Sequence, residues 1–183
     1  MNNLTSDWVA IDTNVFEHVL DNRVNHDNHI DKLLRRLAED EISLLVDCNG
    51  TIEGQYARRI RPKFTKASLT DNALYVFRLY FGGTHHSLRK QVAVDPNDDL
   101  MTVIKRILRT TERVDRLMVY VAFKENRILI TNDKKDIVVG HSKKKNGRRG
   151  ELKQKTKKAR KKIRGRAKDK SDILTSDDAF QKL

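Results

Sequence analysis

Residues 113–133 read RVDRLMVYVAFKENRILITND, and their order decides the architecture. Val114, Leu117, Met118, Val121 and Ala122 recur at helical spacing, so the first half is a helix with one apolar side. Ile128 to Ile130 is a continuous apolar run, too short for a helix, that closes in Thr131-Asn132-Asp133. Such a run suits a strand buried on both faces, and a helix feeding straight into it is the building unit of a parallel sheet. Two acids mark this stretch: Asp115 opens the helix and Asp133 follows the strand.

The same unit recurs upstream. Trp8 to Ile11 is a short apolar strand ending in Asp12, and Asn14 is placed to cap a helix over Val15, Phe16, Val19 and Leu20. A second helix starts near Asn28, with Ile30, Leu33, Leu34 and Leu37 at helical spacing. Ile42 to Val46 is the next buried strand, closed by Asp47. Gly50 then turns the chain into a helix carrying Ile52, Glu53, Tyr56, Ala57 and Ile60, which Pro62 interrupts. Leu74 to Phe81 forms another helical stripe, read as core or as a dimer face, stopped by Gly82-Gly83. Val92 to Val94 is a short strand or an extended link, and two helices follow, over about 98–109 and 111–125. The expected fold is a three-layer α/β/α arrangement, a central parallel sheet flanked by helices. Ligands of such sheets gather beyond the carboxyl ends of the strands, where Asp12, Asp47 and Asp133 all fall.

The 183 residues fit one domain, 1–183, but the charge is distributed unevenly along it. Between Lys143 and Lys170, sixteen Lys/Arg stand against two acids, a net +14 within a whole-chain charge of +13. The body is therefore neutral. Residues 141–170 form a highly basic stretch with almost nothing apolar, so burial does not offset its ordering entropy. Periodicity returns in DILTSDDAFQKL, where Ile173-Leu174 reads as a last strand and Thr175 or Ser176 as the cap of a last helix. The basic stretch is thus an insertion before the closing strand rather than a tail. A single cysteine, Cys48, excludes an internal disulfide and has no base beside it to make it a nucleophile. The histidines lack a zinc-binding spacing. No apolar run approaches ~18 residues and no targeting signal opens the chain, so a cytoplasmic protein without a membrane partner is expected.

Acids at strand ends carry the chemistry. A carboxylate at the end of a buried strand costs several kcal/mol unless it is paired or bound to a cation. Acids from separated elements of one α/β pattern therefore read as a single site for a divalent cation. Mg²⁺ or Mn²⁺ takes oxygen ligands, neutralises charge at a phosphodiester and supplies hydroxide at neutral pH. The expected activity is that of a metal-dependent nuclease.

At these residues the sequence resembles the PIN-domain family of metal-dependent ribonucleases. The matching pieces are Asp12-Thr13-Asn14 at the end of the first strand, DRLMVYVA at 115–122, and ILITND at 128–133. The family spacing of an acid seven residues before an Ala, then a strand ending in T-x-D, is met by Asp115, Ala122, Thr131 and Asp133. The resemblance implies a Mg²⁺ or Mn²⁺ site and RNA cleavage, with Asp12, Asp115 and Asp133 as ligands, directly or through water. Thr131 and Asn14 would be the hydrogen-bonders that orient them. One branch of the family reads D-x-x-G-x-I-x-x-E-Y, and Asp47, Gly50, Ile52 and Tyr56 align with it. The acid position of that pattern holds Gln55. Glu53 lies two residues earlier, roughly 200° around a helix, so the two do not both face a metal. Either Glu53 is the fourth catalytic and metal-binding acid, or the site keeps a neutral Gln55 as a hydrogen-bonder and binds metal more weakly.

The basic insertion suits phosphate contacts rather than base stacking, since it has no aromatic residue. Lys143, Lys144, Lys145, Arg148, Arg149, Lys157, Lys158, Arg160, Lys161, Lys162, Arg164 and Arg166 are its candidate contacts to RNA. A docking arm for a nucleoprotein and a localisation signal are the competing readings. Two functional alternatives stay open: a catalytically silent PIN-like module that binds RNA or a nucleoprotein, and a DNA-acting nuclease of related fold. A homodimer mate or an inhibitor protein are further partners consistent with the resemblance.

Overall fold

A computed structural model describes residues 7–21, 29–64, 77–81, 88–108, 112–133, 151–155 and 172–181. Five strands form one parallel sheet: β1 (Trp8–Ile11), β2 (Ser43–Asp47), β3 (Arg89–Val92), β4 (Ile128–Ile130) and β5 (Asp172–Leu174). Their order across the sheet is β3-β2-β1-β4-β5. The helices are α1 (Thr13–Asp21), α2 (His29–Glu39), α3 (Thr51–Arg59), α4 (Arg61–Phe64), α5 (Asp99–Ile107), α6 (Arg113–Lys124) and α7 (Ser176–Phe180). Residues 77–81 and 151–155 are also helical.

Successive strand residues point to opposite faces, yet Val9, Ala10 and Ile11, like Leu44, Leu45 and Val46, are all buried. Both faces are therefore covered, and the fold is the three-layer α/β/α arrangement expected from the sequence. The edge strand β3 exposes Lys90 and Gln91, and the charge of Lys90 discourages pairing with another chain.

The short strand or link expected at Val92 to Val94 is preceded by a strand placed earlier, β3 at Arg89–Val92, and two further details differ from the sequence reading. From Leu117 to Phe123 the helix α6 is buried around its whole girth, and it packs on β1, β2 and β4 as well as on α3 and α5. The apolar side seen in periodicity was only part of its buried surface. Second, the basic stretch is not wholly excluded from the core. Leu152 is fully buried, and Lys153 pairs with Asp172 at the start of β5 across 3.3 Å. One leucine between charged neighbours carries no periodic signal, which is why this anchor was not seen. The twelve Lys and Arg proposed as nucleic-acid contacts lie outside the described residues, as does the 74–76 part of the Leu74 to Phe81 stripe; its Phe77, Tyr80 and Phe81 are buried in the core.

The turns that aim the site are short. Asp47 accepts from the backbone N–H groups of Thr51 (3.0 Å) and Ile52 (2.7 Å), satisfying donors that the first turn of α3 leaves open. Gly50, at φ 70°, makes the reversal between β2 and α3 in a conformation that side chains disfavour. Asn126, at φ 56°, ends α6 and sends the chain into β4.

Candidate metal centre at the carboxyl ends of the strands

The strand order reverses direction between β1 and β4, so a crevice opens beyond their carboxyl ends. Asp12 is the first residue past β1, and Thr131, Asn132 and Asp133 follow β4. Backbone pairing continues past the strands: Asp12 N–H donates to the Ile130 carbonyl at 2.9 Å, and Thr131 N–H to that of Leu174 at 2.9 Å. The two ends are thus held side by side.

Asp12 is 4% exposed. Its Oδ2 accepts from Thr131 Oγ1 at 2.8 Å and from Asn14 Nδ2 at 3.0 Å, and its Oδ1 accepts from Thr13 Oγ1 at 3.2 Å. All of these donors are neutral. Burial pushes the Asp12 carboxyl above the usual carboxylate range; the hydrogen bonds from Thr131, Asn14 and Thr13 oppose that rise, and the charge of Asp133 adds to it. Asp115, at the opening of α6, is pushed up to about 6 by burial first and then by the charge of Asp12; the hydrogen bond from the Glu112 N–H at 3.1 Å opposes the rise, and the charges of Glu112 and Asp133 add to it. Three carboxylates from three elements therefore feel one another's charge.

Among the described residues, no ion pair reaches Asp12 or Asp115. Nor does any group of three His, Cys, Asp or Glu side chains come close enough to enclose an ion directly. The three acids form a loose group, the mouth, whose members feel one another's charge without enclosing an ion. Their donors are all hard oxygens, and Mg²⁺ in particular is held by one or two carboxylates with water completing its shell. That donor set fits Mg²⁺ or Mn²⁺.

The remaining site candidates divide sharply. Glu53 is turned to the β3 edge, where its Oε1 meets Arg89 Nη1 at 2.5 Å, and Arg89 also donates to the Tyr80 carbonyl at 3.0 Å. Gln55 is 5% exposed and shares the inward face of α3 with Ile52 and Tyr56. Tyr56 donates its hydroxyl to the carbonyl of Ile11, the peptide that leads into Asp12. The carbonyl oxygen of Gln55 has no hydrogen-bond partner among the described residues. A buried acceptor left this way costs about 1–3 kcal/mol.

Asn14 is not the cap that its sequence position suggested. Helix α1 already includes Thr13, and the Asn14 side chain reaches across the crevice instead. Its amide donates to Asp12, and its Oδ1 accepts the Asn132 N–H at 3.0 Å. Asn132 Oδ1 in turn accepts from Ser176 Oγ (2.8 Å) and Ser176 N–H (3.2 Å). Asp133 is fixed through its N–H, which donates to Thr131 Oγ1 at 3.0 Å.

Asn132 and Ser176 were missed by sequence reasoning, although a signal existed. Neighbouring strands β4 and β5 end in Thr-Asn-Asp and Thr-Ser-Asp, and their register sets Ile130 opposite Leu174. That register brings the two triplets level with each other.

No family model, curated protein or solved structure matches this chain. The functional reading rests on the mouth itself.

Proposed function

We propose that this chain is a divalent-metal-dependent endoribonuclease of the PIN-like kind, with Asp12, Asp115 and Asp133 around Mg²⁺ or Mn²⁺. One observation carries the reading: Asp12 is a carboxylate with 4% exposure at the crevice, held by neutral donors and flanked by two further acids. Asp47 makes the contrast. It is equally buried, but its two oxygens cap α3, so folding alone accounts for it. Asp115 caps the start of α6 by accepting the Glu112 N–H at 3.1 Å, but that role does not offset the charge it places near Asp12, whereas a bound cation would.

When bound, the cation would neutralise a scissile phosphate and supply hydroxide at neutral pH. The side chains of this chain do the positioning. Thr131 and Asn14 hold Asp12 in one orientation, and Thr131 also fixes the backbone of Asp133. The +14 stretch between Lys143 and Lys170 would grip the nucleic-acid backbone without reading sequence.

The test is cleavage of matched single-stranded RNA and DNA with Mn²⁺ present. Asp12→Asn is expected to abolish RNA cleavage while leaving RNA binding nearly intact. Unchanged cleavage by that variant discards the assignment, and preferential cleavage of the DNA strand moves the substrate class to DNA.

A second reading, a catalytically silent module that binds RNA or a nucleoprotein, is favoured by the engagement of Glu53 with Arg89 and by the neutral Gln55. Metal titration separates the two. An RNA-binding protein that takes up no divalent cation in the millimolar range is the silent module.

A further inference from the structure

Trp8, the only tryptophan of the chain, opens β1 at the amino end of the sheet, the end opposite the mouth. Two cations lie over its indole: Lys90 Nζ from β3 and the guanidinium of Arg127, which directly precedes β4, each 5.1 Å from the ring centroid. The two charges are therefore no more than twice that distance apart. Among the described residues, neither has a carboxylate within ion-pair distance. Lys90 is exposed. Arg127 is half-buried with its Nε sealed off, so its terminal nitrogens are the part that a ligand can reach.

A second observation points to the same edge. Lys153, beside the buried Leu152, meets Asp172, the first residue of β5. Asp172 lies opposite Ile128 in the β4–β5 register, and Ile128 follows Arg127. The described foothold of the basic stretch is thus set at the amino ends of the strands, close to Arg127. Asp12 lies four residues further along β1 than Trp8, about 13 Å away.

We infer that Lys90 and Arg127, steadied by Trp8, form a surface that contacts the phosphates of single-stranded RNA at the amino ends of the strands, beside the foothold of the basic stretch and apart from the mouth. Packing on the indole fixes where the two cations stand without neutralising them. Lysine then offers a phosphate a point charge and arginine a planar fork, neither of which reads sequence. This rests on the nucleic-acid reading above and adds a path to it. A strand held here must run round the body to reach Asp12, so the grip favours long strands over short ones.

The experiment uses the full chain and end-labelled poly-uridylate without divalent cation. RNA binding is followed by anisotropy across a salt series, and Trp8 emission is recorded in parallel. With no other tryptophan present, that emission reports this edge alone. Binding is expected to change it. Lys90→Gln combined with Arg127→Gln is expected to weaken binding about twentyfold near 0.1 M salt and to flatten the log–log salt slope by about 1.4, from about 0.7 for each lost contact. Arg35→Gln combined with Arg36→Gln removes the same charge from α2 and is expected to bind as the parent does. Should the first pair melt early, Lys90→Gln alone, on an exposed side chain, carries the test with half the slope change.

RNA binding that leaves Trp8 emission unchanged overturns the inference, as does parental affinity in the Lys90/Arg127 pair. Equal weakening by the α2 pair overturns it too, because the effect would then be one of net charge. None of these outcomes touches the metal-dependent reading, which stands or falls on Asp12→Asn. A parent chain that binds no RNA overturns the inference together with the nucleic-acid reading beneath it.

Discussion

Thr131 Oγ1 donates to Asp12 Oδ2 across 2.8 Å, joining the ends of two adjacent strands whose residues lie 119 positions apart in sequence. The same hydroxyl accepts from Asp133 N–H and from Asn14 Nδ2. One side-chain oxygen therefore sets the relative position of two acids.

Thr131→Val keeps the shape and removes that oxygen. It leaves the Asp133 N–H without its acceptor and takes one donor from a buried carboxylate, so a loss of about 1–3 kcal/mol is expected in urea denaturation. Thr131→Ser retains the hydroxyl and is expected to keep most of the stability. Equal loss in both variants would assign the effect to the methyl group instead.

Asp115 links the mouth to pH. Its carboxyl is raised to about 6 from an unfolded value of 3.8, so the folded chain binds this proton more tightly than the unfolded chain does. Stability from this group is greatest at low pH and is lost as pH rises from about 4 through about 6. The metal-free melting temperature of Asp115→Asn should therefore depend less on pH across that window than the parent's. Parallel curves for the two proteins would refute the electrostatic assignment.

The fold was largely legible because strands buried on both faces read as unbroken apolar runs; Asp12 and Asp133 stand out as candidates because each follows such a run, and Asp115 because it opens the helix that feeds one. Glu53 was the natural choice by charge, yet charge alone does not say which way a helix faces. The buried positions Ile52, Gln55 and Tyr56 fix that facing, and only contacts with β1 reveal it. Asn132 and Ser176 escaped because the Thr-Asn-Asp and Thr-Ser-Asp triplets that hold them become neighbours only once β4 and β5 are paired in register.

The Glu53–Arg89 pair is partly shielded, with side-chain exposures of 29% and 16%. A double-mutant cycle with Glu53→Gln and Arg89→Met should give a coupling of about 1–2 kcal/mol, between the values for exposed and buried pairs. A coupling near zero would leave Glu53 available for another role.

Leu152 anchors the basic stretch to the core. Leu152→Ala should cost about 2–5 kcal/mol, as a buried leucine does, despite lying among lysines and arginines. A cost within the scatter of surface substitutions would show that the stretch is independent of the folded body.

The central claim is that Asp12, Asp115 and Asp133 together face one divalent cation. Anomalous difference density from a crystal soaked in Mn²⁺ tests it most directly. A peak among these three carboxylates is the expected result; an empty mouth with Mn²⁺ in excess, or density only at other acids, contradicts it.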